Sequence, residues 1–166
     1  MPFAFGHLTF GWICGKLAEL NKKFKLDRWM WFLLLFGAIF PDGDFLLDWI
    51  FKTQIHRSFS HSLLMAVVSF LVVFLVCKLL KKKIKPLAYG LAFGLGILTH
   101  LVADMALGWP GVALFWPIQT RFWWFGLGAS NYVSLGIGEL TREKLILQLR
   151  MAIIDMGLGV AWIGYL

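Results

Sequence analysis

The sequence predicts an all-α fold: a polytopic transmembrane helix bundle of about four to six membrane helices, with a metal pocket toward its non-cytoplasmic side. Three observations point there. Of the 166 residues, 60% are hydrophobic and only 15% charged, against roughly 25% charged in a soluble domain. Full-length apolar runs occupy 61–80 and 87–107, and about 20 such residues cross a bilayer. The positive charges, which leave the chain at +7, fall in clusters between apolar runs, from Lys16 to Arg28, Lys78 to Lys85 and Arg142 to Arg150. Clusters so placed are topology signals. No basic and aromatic stripe accompanies them, so no nucleic-acid partner is expected; the expected partner is the lipid bilayer.

The elements follow in order. Residues 3–20 form a short, glycine-bearing helix candidate. The segment "WMWFLLLFGAIF", 29–40, is a second and stops at "PDGD", where proline and glycine break the helix and let two carboxylates turn inward. The spans at 61–80 and 87–107 come next, the first capped by Ser60 and Ser62. "GWPGVALFWPIQTRFWWFG" is rich in Pro, Gly and Trp and belongs at the membrane–water interface, where tryptophan concentrates. Residues 122–138 are ambiguous, and 146–166 form the last span. Glycines 90, 94, 96 and 108 imply close helix packing. Cys14 and Cys77 lie inside apolar runs and read as small hydrophobes. There is no repeat and no linker, so 1–166 is one membrane domain. The basic loops at 21–28 and 78–85 are assigned to the cytoplasm. The N-terminus, "PDGD", "HRSFSH" and the end of the 87–107 helix then share the opposite side.

The rare polar groups meet at one depth. His100 lies 14 residues after Pro86, about 21 Å up a helix at 1.5 Å per residue. His61, His7 and Asp42 lie 17, 15 and 14 residues from Lys78, Lys22 and Arg28, roughly 25, 22 and 21 Å. His56 is in the turn before His61. That level is near the outer edge of a hydrocarbon core about 30 Å thick. His100 and Asp104 stand at i and i+4, on one helix face, as two ligands of one metal or as a ligand and its supporting carboxylate. Four imidazoles and three carboxylates (Asp42, Asp44 and Asp104), without a thiolate, suit Zn²⁺ or Mn²⁺. Seven groups are too many for one four-coordinate centre with an open position, so two ions fit better.

At these residues the chain resembles the membrane-bound metal-dependent hydrolases, also described as LexA-binding, inner-membrane-associated hydrolases. The matching pieces are His7, "GAIFPDGD" (37–44), "HRSFSHS" (56–62) and "HLVADMALGWPGVALFWP" (100–117). They cover the first 117 residues. The resemblance implies a multi-pass membrane protein with a metal-dependent hydrolase site. It also implies distant similarity to the all-helical zinc-dependent phospholipase C and its related single-strand nucleases. On that basis His7, Asp42, His56, His61, His100 and Asp104 carry over as metal ligands, with Asp44 either in the catalytic set or supporting it.

The expected function is hydrolysis of a lipid-linked phosphate by a metal-activated water, on an amphiphilic phosphate-containing substrate. Arg57 is the candidate phosphate clamp, since its planar fork matches phosphate oxygens; the alternative is a snorkelling interfacial arginine. Trp109, Phe115 and Trp116 are either a lip for a lipid tail or interfacial anchors. Ser60 beside His61 is not expected to be a nucleophile and base, because adjacent residues rarely have the geometry and no sequence pattern accompanies them. Two other classes stay open: a metal-ion or small-solute transporter, and a non-catalytic membrane scaffold or regulator. Asp48 is read as supporting or solvated, and Asp155 has no evident partner.

Overall fold

In the computed structural model, residues 4–21, 24–53, 55–80, 85–107, 111–118, 120–122 and 142–166 are described. They are helical with no strand; a single β-bridge joins Val112 and Phe122. The helices are α1 (Ala4–Leu20), α2 (Arg28–Ile39), α3 (Asp44–Phe51), α4 (Leu63–Leu79), α5 (Pro86–Leu107) and α6 (Arg142–Tyr165). Two stretches are long and apolar enough to cross a membrane, Arg28–Phe51 and Pro86–Ala106. The segment 123–141, including the ambiguous 122–138 stretch beyond Phe122, lies outside the described residues, as do Gly108 and Trp109.

The "PDGD" break is corrected. Helix α2 does not stop at Pro41; it tightens into a 3-10 turn over Phe40–Gly43 and resumes as α3. Gly43 keeps right-handed helical angles (φ −60°, ψ −18°). Proline sits in the first turn of the 3-10 segment, where a missing N–H costs least. The tightening still reorients Asp42 and Asp44.

Local sequence sets the other ends. Asp27 caps α2, its carboxylate accepting from the Trp29 and Met30 N–H groups at 3.0 Å each. Ser62 caps α4 by accepting from Met65 N–H at 3.1 Å. Ser60 does not cap; its hydroxyl is turned elsewhere, as shown below. Between α3 and α4 the chain folds on Asp48, whose carboxylate accepts from the Ile55 and His56 N–H groups and the Thr53 hydroxyl at 2.8, 2.9 and 2.8 Å. Asp48 thus shapes the loop that presents His56.

Helix α5 is the centre of the packing, against α2 on one side and α4 on the other. Gly37 and Gly96 make the α2–α5 crossing close. A Cβ on Gly37 would lie 2.4 Å from the Phe93 carbonyl oxygen, and one on Gly96 2.2 Å from that of Leu34. No side chain fits either place, as the small-residue rule for membrane helix pairs requires. On the other side Gly90 and Gly94 receive Phe70 of α4. The core is Ala66, Phe93, Ile97 and Leu101. Beyond it, Val67, Leu71, Val72, Leu75 and Val76 of α4 are largely exposed, an apolar face that only lipid or another apolar surface would cover.

Candidate metal centre

The Gly37–Gly96 contact lies one turn below the site. His100 follows Gly96 by four residues and points along the same face. Its Nδ1–H donates to the Ala38 carbonyl at 2.8 Å. A carbonyl only accepts, so the proton is on Nδ1 and Nε2 carries a lone pair. His61 is held similarly. The Ser60 hydroxyl donates to Asp44 Oδ2, so its oxygen accepts from His61 Nδ1 at 3.0 Å. That again leaves Nε2 bare. His56 Nδ1 donates to Asp44 Oδ1 at 2.6 Å, and its Nε2 is buried without a hydrogen-bond partner among the described residues. Three imidazoles are fixed in the tautomer that ligates through Nε2.

The bare nitrogens converge. His61 Nε2 is 3.1 Å from His100 Nε2, 3.4 Å from Asp42 Oδ1 and 3.6 Å from Asp104 Oδ2. His100 Nε2 is 3.6 Å from Asp42 Oδ1. His7 stacks on His100 with ring centres 3.8 Å apart, and its Nε2 is 3.8 Å from Asp42 Oδ2 and 3.6 Å from Asp104 Oδ1. Most of these separations exceed a hydrogen bond. They are close to the spacing of about 3.4 Å between tetrahedral ligands each about 2.0–2.1 Å from an ion. Neither ring nitrogen of the buried His7 has a hydrogen-bond partner among the described residues. An orphaned imidazole is costly in a buried place, and a cation would satisfy it. Three overlapping ligand groups arise: His7, Asp42 and His100; Asp42, His56 and His61; His61, His100 and Asp104. The donor set fits a divalent metal.

Each predicted residue falls in this cluster. Asp44 has both oxygens engaged, by His56 and Ser60, so its geometry is that of a support for the histidines. Arg57 is buried, its Nη2 3.0 Å from Asp104 Oδ2, and its backbone is left-handed at φ 62°. It is not a snorkelling surface cation. Side-chain exposure is 25% for Asp42, 14% for His56 and at most 5% for the others, so the site opens along the Asp42–His56 edge. Trp116 packs edge-on against Phe59 at 5.1 Å beside that loop, and Leu63 N–H donates to the Leu114 carbonyl at 3.0 Å. Three groups escaped the sequence reading. Ser60 carries the sequence signal of a cap and gives no sign of its bond to Asp44; nothing in the sequence marks the Ala38 carbonyl; and Asp155 lies 149 residues from its partner Gly6.

Helices that expose this much apolar surface around a buried polar cluster define an all-helical integral membrane protein. Residues 1–165 match the family described as YdjM inner membrane protein, and the chain belongs to it. No curated protein and no solved structure matches the chain.

Proposed function

We propose that this inner-membrane protein is a metal-dependent hydrolase that cleaves the phosphoester of a lipid-borne substrate. The observation that carries the reading is the facing pair of bare nitrogens on His61 and His100, ringed by carboxylate oxygens at ligand spacing. His7, Asp42, His56, His61, His100 and Asp104 would hold one or two ions, Zn²⁺ or Mn²⁺ by donor type. A bound divalent ion supplies Lewis acidity and activates water near neutral pH. Asp44 and Ser60 keep His56 and His61 in the ligating tautomer. Arg57 would exchange its contact with Asp104 for the phosphate oxygens, a fork-to-oxyanion match. In this reading the bundle is multi-pass, its site faces the non-cytoplasmic side, and the surrounding bilayer brings the substrate's phosphate to headgroup level.

The apolar stretches of α4 and α5 beyond the cluster support this reading over a conduit. Between Leu63 and Cys77 the only side chain of α4 bearing oxygen or nitrogen is Ser69, and between Pro86 and Leu98 that of α5 is Tyr89. An ion path needs polar groups on both sides of the midplane. The test is to incubate purified protein, loaded with Zn²⁺ or Mn²⁺, with phospholipids and isoprenoid phosphates. Cleavage of at least one, lost in His61→Ala and His100→Ala, is expected. Stoichiometric metal with every phosphoester intact would remove the phosphoesterase reading.

A further inference from the structure

Helix α1 begins with a difficulty. The first N–H groups of any helix have no acceptor within it, and in an apolar setting each needs one from elsewhere. The preceding residues, Met1, Pro2 and Phe3, carry no side-chain oxygen. The acceptor comes from the far end of the sequence. Asp155 of α6 takes the Phe5 N–H on Oδ2 at 3.1 Å and the Gly6 N–H on Oδ1 at 2.5 Å. The residue is 5% exposed.

The rest of that α6 face matches. Gly159, one turn on, leaves room for the Phe5 ring, since a Cβ there would lie 2.5 Å from Phe5 Cγ. Trp162 then meets Trp12 edge-on at 6.5 Å. Asp155, Gly159 and Trp162 thus form one helical stripe at i, i+4 and i+7, and it packs on α1. Asp155 is the charged member of that stripe, and an anion at a helix N-terminus also favours the helix dipole.

The next residue after Gly6 is His7. Its ring has no hydrogen-bond partner among the described residues to fix it; it stacks on His100 and faces Asp104 and Asp42 at 3.6 and 3.8 Å, so its place depends on the backbone that carries it. We propose that Asp155 is a positioning residue for the metal centre: by seating the first turn of α1 it sets where His7 enters the cluster. This rests on the metal-site reading above, but the seating itself does not. Without Asp155 the first turn loses two acceptors and frays, and His7 moves with it.

Two measurements on the full chain in detergent or nanodiscs decide it. In metal-free protein, amide hydrogen exchange at Phe5 and Gly6 should quicken on the order of tenfold or more in Asp155→Leu and be partly restored in Asp155→Asn, which keeps one acceptor oxygen. In the same variants Zn²⁺ affinity should fall on the order of tenfold, no further than in His7→Ala, and the double variant His7→Ala/Asp155→Leu should bind no more weakly than His7→Ala alone. Unchanged exchange at Phe5 and Gly6 overturns the proposal. So do losses that multiply in the double variant, because Asp155 would then act on the whole fold rather than through His7. A wild-type protein that binds no zinc counts against the metal reading, and the exchange result then decides the seating by itself.

Discussion

His61 and His100 face each other through their Nε2 atoms at 3.1 Å, and each ring gives its Nδ1 proton to a fixed acceptor, Ser60 Oγ and the Ala38 carbonyl. Two lone pairs do not bind each other. Something positive must lie between them, a proton or a metal ion. The supporting acceptors decide that question as much as the rings do, because they remove the other tautomer.

Metal content should therefore depend on the pair. We expect wild-type protein to hold Zn²⁺ or Mn²⁺ after purification, and His61→Ala or His100→Ala to lower affinity on the order of 100-fold, since lost outer supports alone cost 10–100-fold. Elemental analysis after dialysis reads this directly. Equal metal in all three proteins would place the ion elsewhere.

Proton and metal compete for the same nitrogen. A ring nitrogen that takes a proton no longer ligates, so metal affinity should decline as pH falls through the ordinary histidine range, near about 6.5. Zinc titrations between about pH 5.5 and 8.5, roughly one unit below to two above that value, should show the decline. A pH-independent affinity would contradict the shared-nitrogen geometry.

The helix crossing should be as sensitive as the site. Gly96→Ala puts a Cβ 2.2 Å from the Leu34 carbonyl and 2.9 Å from Gly37 Cα, and backbone cannot yield as a side-chain tip can. We expect a loss of about 1–3 kcal/mol or more, the usual range for overpacking, read from thermal unfolding in detergent. Gly157→Ala, where a Cβ meets nothing within 4 Å, should leave stability unchanged or slightly raised.

Much of the site was legible because helices convert residue count into height. Counting from the basic clusters put His7, Asp42, His61 and His100 at one level, and those side chains do meet. The limits of α1, α4 and α5 and the Ser62 cap were legible from apolar runs and cap chemistry, as was packing at Gly90, Gly94 and Gly96; α3 and the first turn of α6 were not. What failed was lateral. Height says nothing about azimuth, so the pairing of Arg57 with Asp104 and of Ser60 with Asp44 could not be read. Asp155 looked partnerless because its partner is a backbone terminus, which carries no side-chain signature. Pro41 and Gly43 looked like a break because propensity weighs residues singly, whereas here proline falls in the first turn of a new helical segment, where it is tolerated.

That tightened turn has a bearing on the metal chemistry. Pro41 has no N–H for the Gly37 carbonyl, and 3-10 bonding shortens each backbone link by one residue. The Ala38 carbonyl, one turn before Asp42, receives His100 Nδ1–H. The position of the backbone ahead of one proline is thus tied to the tautomer of a ring on another helix. A displacement of that turn would move the acceptor that fixes the His100 imidazole, and with it the lone pair that a cation needs.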